Sequence, residues 1–201
     1  MKRNQPHKYL LRAVALAIGL LLASPVWAGL KEGLAAYERN DYATALANFR
    51  PLAIKGIAEA QFNLGEMYYK GHGVKKNKSE AAKWYRKAAD QGLAVAQKTL
   101  GDAYAFGQGV TQDSNEGVKW YRKAAEQGFV DAQLAMGNSY SAGIGVEKNY
   151  AEAAKWYRKA AEQGDTLASK YLGDMYAKGQ GVERDNAEAE RWYRRAFSAK
   201  P

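Results

Sequence analysis

The chain has 201 residues, of which 47% are hydrophobic and 25% are charged, the composition of an ordinary globular protein. It contains no cysteine, which excludes disulfide bonds, thiolate zinc sites and cysteine nucleophiles. The formal net charge is +9, but residues 1–28 hold four basic and no acidic residues, so the remainder has 26 basic against 21 acidic residues. This small excess gives little support to nucleic-acid binding, and we expect no nucleic-acid partner.

Residues 1–28 have the three parts of a secretory signal peptide. Basic residues precede an apolar run over 13–23, and Val26 and Ala28 occupy the −3 and −1 positions of a cleavage site. The apolar run is about half as long as the roughly 20 residues that cross a bilayer, so no membrane span is expected. The sequence predicts cleavage after Ala28 and a periplasmic or secreted mature protein.

Residues 29–57 are predicted to form a helical hairpin that caps the N-terminal end of the repeats that follow. A helix over 30–39 precedes a second helix over 42–55. Pro51 lies inside the second helix, where proline removes a hydrogen bond and clashes with the preceding turn, at a cost of about 3 kcal/mol. We therefore expect a kink or a break near Phe49.

A tryptophan recurs every 36 residues, at positions 84, 120, 156 and 192, without any slip. A fixed period of this length is typical of a repeat protein in which each unit packs against its neighbours. Apolar residues at helical spacing predict two helices in each copy, separated by a loop of sequence Gly-X-Gly-Val. Four complete copies are predicted, over residues 58–93, 94–129, 130–165 and 166–201.

Glycine recurs inside the first helix of each copy and in the loop that follows it. In the first helix it follows Leu64, Leu100, Met136 or Leu172. Because glycine inside a helix costs about 1 kcal/mol, we expect it to permit the close approach of another helix. The loop glycines resemble a phosphate-binding loop, but no lysine followed by serine or threonine comes after them. We interpret them as helix ends with positive backbone angles.

The second helix of each copy begins with Asn or Asp followed three residues later by Glu, which predicts a reciprocal capping box. Its Trp-Tyr pair is interpreted as packing between helices. Its basic residues form rows on the outer face, which we interpret as solvated and partly neutralised by the capping glutamates. These cations are Lys83, Arg86, Lys87, Lys119, Arg122, Lys123, Lys155, Arg158, Lys159, Arg191, Arg194 and Arg195.

The repeated pattern resembles that of the SEL-one-like repeat family, which is related to the tetratricopeptide repeats. It reads Ala-X-Ala-Gln-X-X-Leu-Gly-X-X-Tyr, then Gly-X-Gly-Val, then Trp-Tyr-Arg-Lys-Ala-Ala-X-Gln-Gly. The resemblance covers residues 58–201 fully and 37–57 in part, with small departures at Met136 and Ser169. It implies an all-α fold, an α-solenoid in which antiparallel helix pairs stack into a right-handed superhelix.

The resemblance also implies a concave groove lined by the second, fifth, ninth and twelfth residues of each copy. The expected protein-binding residues are Glu59, Phe62, Glu66, Tyr69, Val95, Lys98, Asp102, Asp131, Leu134, Asn138, Leu167, Lys170 and Asp174. The twelfth positions are completed by Ala105, Ser141 and Ala177. This mixture suits a peptide or helix with apolar anchors and some basic residues. The alternative is a solvated inner face without a specific ligand.

The function that this resemblance implies is that of an adaptor or regulator in the cell envelope, which binds a partner protein or peptide. We expect a monomer. The sequence offers no histidine pair, metal-ligand spacing or serine-histidine-acid set, so no enzymatic activity, metal or cofactor is expected. Two alternatives stay open. One is a β-lactamase-like or penicillin-binding enzyme, an activity of cysteine-rich members of the family, and the other is an envelope tether that uses the basic face.

Overall fold

The computed structural model describes residues 25–198, and within that range the only regular secondary structure is ten α-helices. The prediction of an all-α fold built from helical pairs is therefore confirmed. The chain divides into two compact units, Met1–Lys76 and Asn77–Pro201. The predicted signal peptide over 1–28 lies almost wholly outside the described residues.

The first unit contains α1 (Pro25–Glu38), α2 (Tyr42–Ile54) and α3 (Ala58–Lys70). Asp41 caps α2, since its side chain accepts a hydrogen bond from the Thr44 amide at 3.1 Å. Phe49 is fully buried, and its ring lies 2.5 Å from where a β-carbon would stand at Gly33. Only glycine at position 33 lets the two helices of this hairpin approach so closely.

Two details of this unit differ from the sequence-based expectations. The first helix begins at Pro25 rather than at residue 30. A kink or a break was predicted near Phe49, and the break is wrong because α2 continues through Pro51. The helix continues through this proline because of the position of Pro51 in the helix. Pro51 lies in the last turn of α2 with an exposed side chain, so the helix loses one hydrogen bond and no buried contact.

The second unit contains seven helices of 13 residues each, and every helix packs against the next one along the chain. Their bounds are α4 (Lys78–Asp90), α5 (Ala94–Phe106), α6 (Ser114–Glu126), α7 (Val130–Ala142), α8 (Tyr150–Glu162), α9 (Thr166–Lys178) and α10 (Asn186–Ser198). In each copy that lies wholly in this unit, the first helix is α5, α7 or α9 and the second is α6, α8 or α10.

The helix glycines of this unit serve the close approach that the sequence predicts. A β-carbon at Gly101, Gly137 or Gly173 would lie 2.5, 2.4 or 2.7 Å from a tyrosine ring of the second helix in the same copy. Real atoms do not tolerate such distances, so each glycine makes room for one ring. The loop glycines also behave as predicted, because Gly107, Gly143 and Gly179 end their helices in the left-handed conformation.

The helix caps are only partly as predicted. In α8, the side chain of Asn149 accepts a hydrogen bond from the Glu152 amide at 3.0 Å, and the same bond recurs in the other copies. The predicted reciprocal bond from glutamate is wrong. The Asn149 amide donates instead to the Tyr140 carbonyl at 2.9 Å, which frees the glutamate side chain to pair with Lys155.

Buried glutamines connect successive copies. Gln133 on α7 donates to the Ala125 carbonyl at the end of α6 at 3.2 Å and accepts from Gln163 at 2.8 Å. Gln97 makes the corresponding bonds with Ala89 and Gln127 one copy earlier. The side chains are buried but satisfied, so polar groups link neighbouring copies inside an otherwise apolar interior.

Candidate functional site

The residues predicted to line a groove lie on the first helices of the copies. In the first unit, Glu59, Phe62, Glu66 and Tyr69 all lie on α3. Glu66 forms an ion pair with Lys70 at 2.9 Å, a hydrogen bond that raises the pKa of the Lys70 ammonium. This acid is therefore already engaged within its own helix.

In the second unit, five of the predicted residues line one pocket of about 650 Å³ between α5 and α7. A volume of this size is within the range of sites that bind small ligands or peptide side chains. Val95 on α5 does not line this pocket, and neither do Leu167, Lys170 and Asp174 on α9. The five predicted residues in the pocket are Lys98, Asp102, Asp131, Leu134 and Asn138.

One end of the pocket is apolar and was not predicted. Phe106, the last residue of α5, is 67% exposed, and Ile144, in the loop after α7, is 56% exposed. The sequence did show that the residues at these two positions differ from those in other copies. In the other copies, Lys70 and Lys178 are among the residues at the position of Phe106, and His72, Gln108 and Gln180 occupy the position of Ile144.

Three alanines also line the pocket. They are Ala105, which is the twelfth residue of its copy and a predicted groove position, and Ala135 and Ala142, which were not predicted. The last copy has Tyr171 in place of Ala135 and Lys178 in place of Ala142. The two alanines leave more space at this point than the tyrosine and lysine of the last copy would.

The acid at the ninth position of the second copy is fully engaged. Asp102 accepts from Lys98 through Oδ2 and from the Tyr121 hydroxyl through Oδ1, both at 2.8 Å. Burial, together with the nearby Asp102 charge, raises the pKa of the Tyr121 phenol well above its ordinary value. Tyr121 thus stays neutral and holds the carboxylate in one orientation.

The same tyrosine contact recurs at the ninth position of the next two copies. The Tyr157 hydroxyl donates to Asn138 Oδ1 at 2.8 Å, and the Tyr193 hydroxyl donates to Asp174 Oδ1 at 2.7 Å. Sequence reasoning did not predict this contact, because it had assigned the tyrosine of the second helix to packing alone. The acceptor is a residue on the surface of the first helix. The contact leaves Asp131 as the pocket carboxylate that makes no ion pair within residues 25–198.

The basic residues in the rows on the second helices make contacts with other side chains of the protein. The first row behaves as predicted, since Lys119 pairs with Glu116 at 3.1 Å. The second row does not, because Arg122 is half-buried and donates to the Tyr140 hydroxyl of the next copy at 2.7 Å. In the third row, Lys123 lies 3.9 Å from the centre of the Trp120 ring.

In the described part of the chain, no group of three or more histidine or acidic residues is placed to hold a metal ion. None of the helices over residues 25–198 has the length and apolar character needed to cross a membrane.

The comparisons with known proteins agree on one family. The Sel1 repeat model matches residues 58–93, 94–129, 130–165 and 167–200. A solved protective antigen from uropathogenic Escherichia coli strains, which displays an SLR fold, is 42% identical with a TM-score of 0.82; the match covers 86% of this chain and 38% of that one. A Sel1 repeat protein from Oxalobacter formigenes is 40% identical with a TM-score of 0.79, over 85% of this chain and 68% of that one.

A third solved structure supports the fold alone. It is a Klebsiella pneumoniae protein described as a Sel1 repeat protein, 19% identical with a TM-score of 0.56, over 85% of each chain. No curated protein matches the sequence. Sel1 repeat proteins are generally protein–protein interaction scaffolds without enzymatic activity. Since four consecutive repeats match over most of its length, the chain belongs to the Sel1 repeat family.

Proposed function

We propose that this protein is an adaptor that acts outside the cytoplasm and binds a partner protein through the first helices of its repeats. The observation that supports it best is the pocket between α5 and α7, where Phe106 and Ile144 expose large apolar side chains. Exposed apolar side chains that converge on a concave site are typical of a binding surface. Both side chains are mostly exposed, so packing inside the protein does not require either residue to be apolar.

The arrangement around the pocket also supports a rigid binding site. Tyr121 and Tyr157 hold Asp102 and Asn138 from the second helices, so these polar groups lie in fixed positions before any partner arrives. Pre-positioned groups lower the entropy lost on binding. The basic faces of the second helices are a weaker candidate, because most of their described cations already contact a glutamate, a tyrosine or a tryptophan ring.

Export from the cytoplasm rests on the N-terminal sequence. The buried side chains of α1 begin with Leu30, whereas Val26, Trp27 and Ala28 are exposed or half-buried. Cleavage after Ala28 would thus remove none of the buried side chains that the structure describes in α1. Expression of the full chain in a Gram-negative host, followed by fractionation and N-terminal sequencing, tests this. A mature chain that begins at Gly29 in the periplasm or medium is expected, and an intact chain in the cytoplasm would contradict export.

The binding site is tested by photo-cross-linking. A benzoylphenylalanine placed at Phe106 should cross-link a discrete partner from an envelope fraction, whereas the same group at Lys119, on the second-helix face, should not. The double substitution Phe106→Ala with Leu134→Ala should abolish capture of that partner without changing helicity. Equal cross-linking from both positions, or capture that survives the double substitution, would refute binding at this site.

A further inference from the structure

The pocket between α5 and α7 has an apolar end and a polar end, and the two differ in what they would recognise. The apolar end is formed by Phe106 and Ile144, which are exposed, together with the small side chain of Ala142. Such a site has room for one large side chain from a ligand, which would cover both exposed residues. Burying an apolar side chain of that size contributes about 1.5–3 kcal/mol.

The polar end carries one unneutralised charge. Lys98 and Asp102 neutralise each other at 2.8 Å, and Tyr121 takes the other oxygen of Asp102. The exposed carboxylate of Asp131 makes no ion pair with any residue of the described chain. The pocket therefore has a net charge of about −1 at this end, which complements a lysine or arginine on the ligand.

The distance between the two ends of the pocket determines the length of peptide that would reach from one to the other. Asp131 and Ala142 are both on α7, so they lie roughly 16 Å apart along the helix axis at about 1.5 Å per residue. An extended peptide covers that distance in about five residues at roughly 3.3 Å each. A bound peptide would need its apolar and basic side chains at about this separation.

Asn138, between the two ends, favours an extended ligand over a helical one. Its Oδ1 accepts from Tyr157, and its Nδ2 amide has no hydrogen-bond partner among the described residues. An extended peptide has free backbone carbonyls that this amide can bind, whereas the carbonyls inside a helix are already bonded. The small side chains of the alanines that line the pocket also leave room for a main chain to come close.

From these features, and resting on the proposed function, we infer that the pocket binds an extended peptide segment of a partner protein. The segment inserts one large apolar side chain between Phe106 and Ile144 and places a lysine or arginine about five residues away against Asp131. The last repeat carries the larger residues Tyr171 and Lys178 at the positions of Ala135 and Ala142, so we expect it to lack the same site.

The test uses random peptides displayed on phage and selected on the full chain. Selected peptides are then synthesised with a fluorescent label and titrated by anisotropy against the parent and its variants. Ala142→Lys and Ala135→Tyr introduce residues that the last repeat already carries at these positions, so both should fold as the parent does. Ala187→Lys, at an exposed position on α10, is the matched control for the added charge. Thermal melts verify that each variant is folded.

We expect enriched peptides with a large apolar residue and a basic residue about five positions apart. Ala142→Lys and Ala135→Tyr should weaken their binding by about tenfold or more, while Ala187→Lys leaves it unchanged. Replacing the basic residue of the peptide with alanine should cost the parent about three- to fivefold, and Asp131→Asn should remove that difference.

Three results would count against the inference, and they differ in what they say about the proposed function. Peptides whose binding is lost with Leu167→Ala or Lys170→Glu but not with Ala142→Lys would place the site elsewhere on the first helices, and the proposed function would stand. A selection that yields no peptide sensitive to any first-helix substitution would contradict both. Peptides with an acidic residue in place of the basic one would refute the role of Asp131.

Discussion

The ring of Tyr157 lies directly on the backbone of Gly137. A β-carbon at position 137 would stand 2.4 Å from two carbons of that ring, and the same relationship joins Gly101 to Tyr121. These contacts fix how close the two helices of a copy lie, and they carry the tyrosine hydroxyl to the groove residue next to the glycine. The packing of the repeat and the geometry of the candidate site therefore depend on the same side chain.

Gly137→Ala should destabilise the protein by about 1–3 kcal/mol, since the added methyl group forces the Tyr157 ring or the helix to move. Helix propensity alone predicts the opposite sign, because alanine is favoured over glycine by about 1 kcal/mol inside a helix. Urea denaturation followed by circular dichroism measures the change. Asn115→Ala, at an exposed position on α6, is the control for propensity and should be neutral or slightly stabilising.

The basic rows on the second helices should differ in their contribution to stability. Arg122→Ala should cost about 1–2 kcal/mol, because Arg122 is half-buried and bonded to Tyr140 of the next copy. Lys119→Ala should change the free energy of unfolding by less than about 0.5 kcal/mol, because its side chain is 70% exposed in a surface ion pair. Thermal melts of the two variants under identical conditions make the comparison. Equal effects would show that the arginine contact with Tyr140 is not structural.

Alkaline titration should expose the contact between Tyr193 and Asp174. The hydrogen bond to Asp174 raises the pKa of the Tyr193 phenol to about 12, above the ordinary value of 10.0. Because the folded-state pKa is the higher one, the stabilisation is fully present below pH 10.0 and is lost as the pH rises toward about 12. Near-ultraviolet absorbance of tyrosinate measures the titration. Asp174→Asn should lower this pKa, and an unchanged titration curve would argue against the bond.

The buried glutamine that links two copies should be stabilising by a modest amount. Gln133→Leu keeps the volume but removes the bonds to the Ala125 carbonyl and to Gln163. We expect a loss of about 1 kcal/mol, because the Ala125 carbonyl also accepts from the Gly128 amide and is not left without a partner. Chemical denaturation gives the value. Gln180→Leu, in a loop, is the control, and a gain in stability for Gln133→Leu would contradict the proposed link.

Part of the candidate site follows from the resemblance to the repeat family. The resemblance implies a groove lined by the second, fifth and ninth residues of each copy, and Lys98, Asp102 and Asn138 at these positions do line the pocket. Phe106 and Ile144 are outside that spacing. Other copies have lysine, histidine or glutamine at these positions, so the sequence does show that the two residues are unusual. It does not show which residues their side chains contact.

The sequence by itself determined the fold, because its signals act over short distances along the chain. Capping residues, left-handed glycines and apolar residues at helical spacing specify each helix within a few turns, and the 36-residue period repeats that specification. The tertiary structure alone decided which polar groups remain available in the pocket. Asp102 and Asn138 are engaged by tyrosines 19 residues away, and Asp131 is not, because these contacts depend on how separate helices pack.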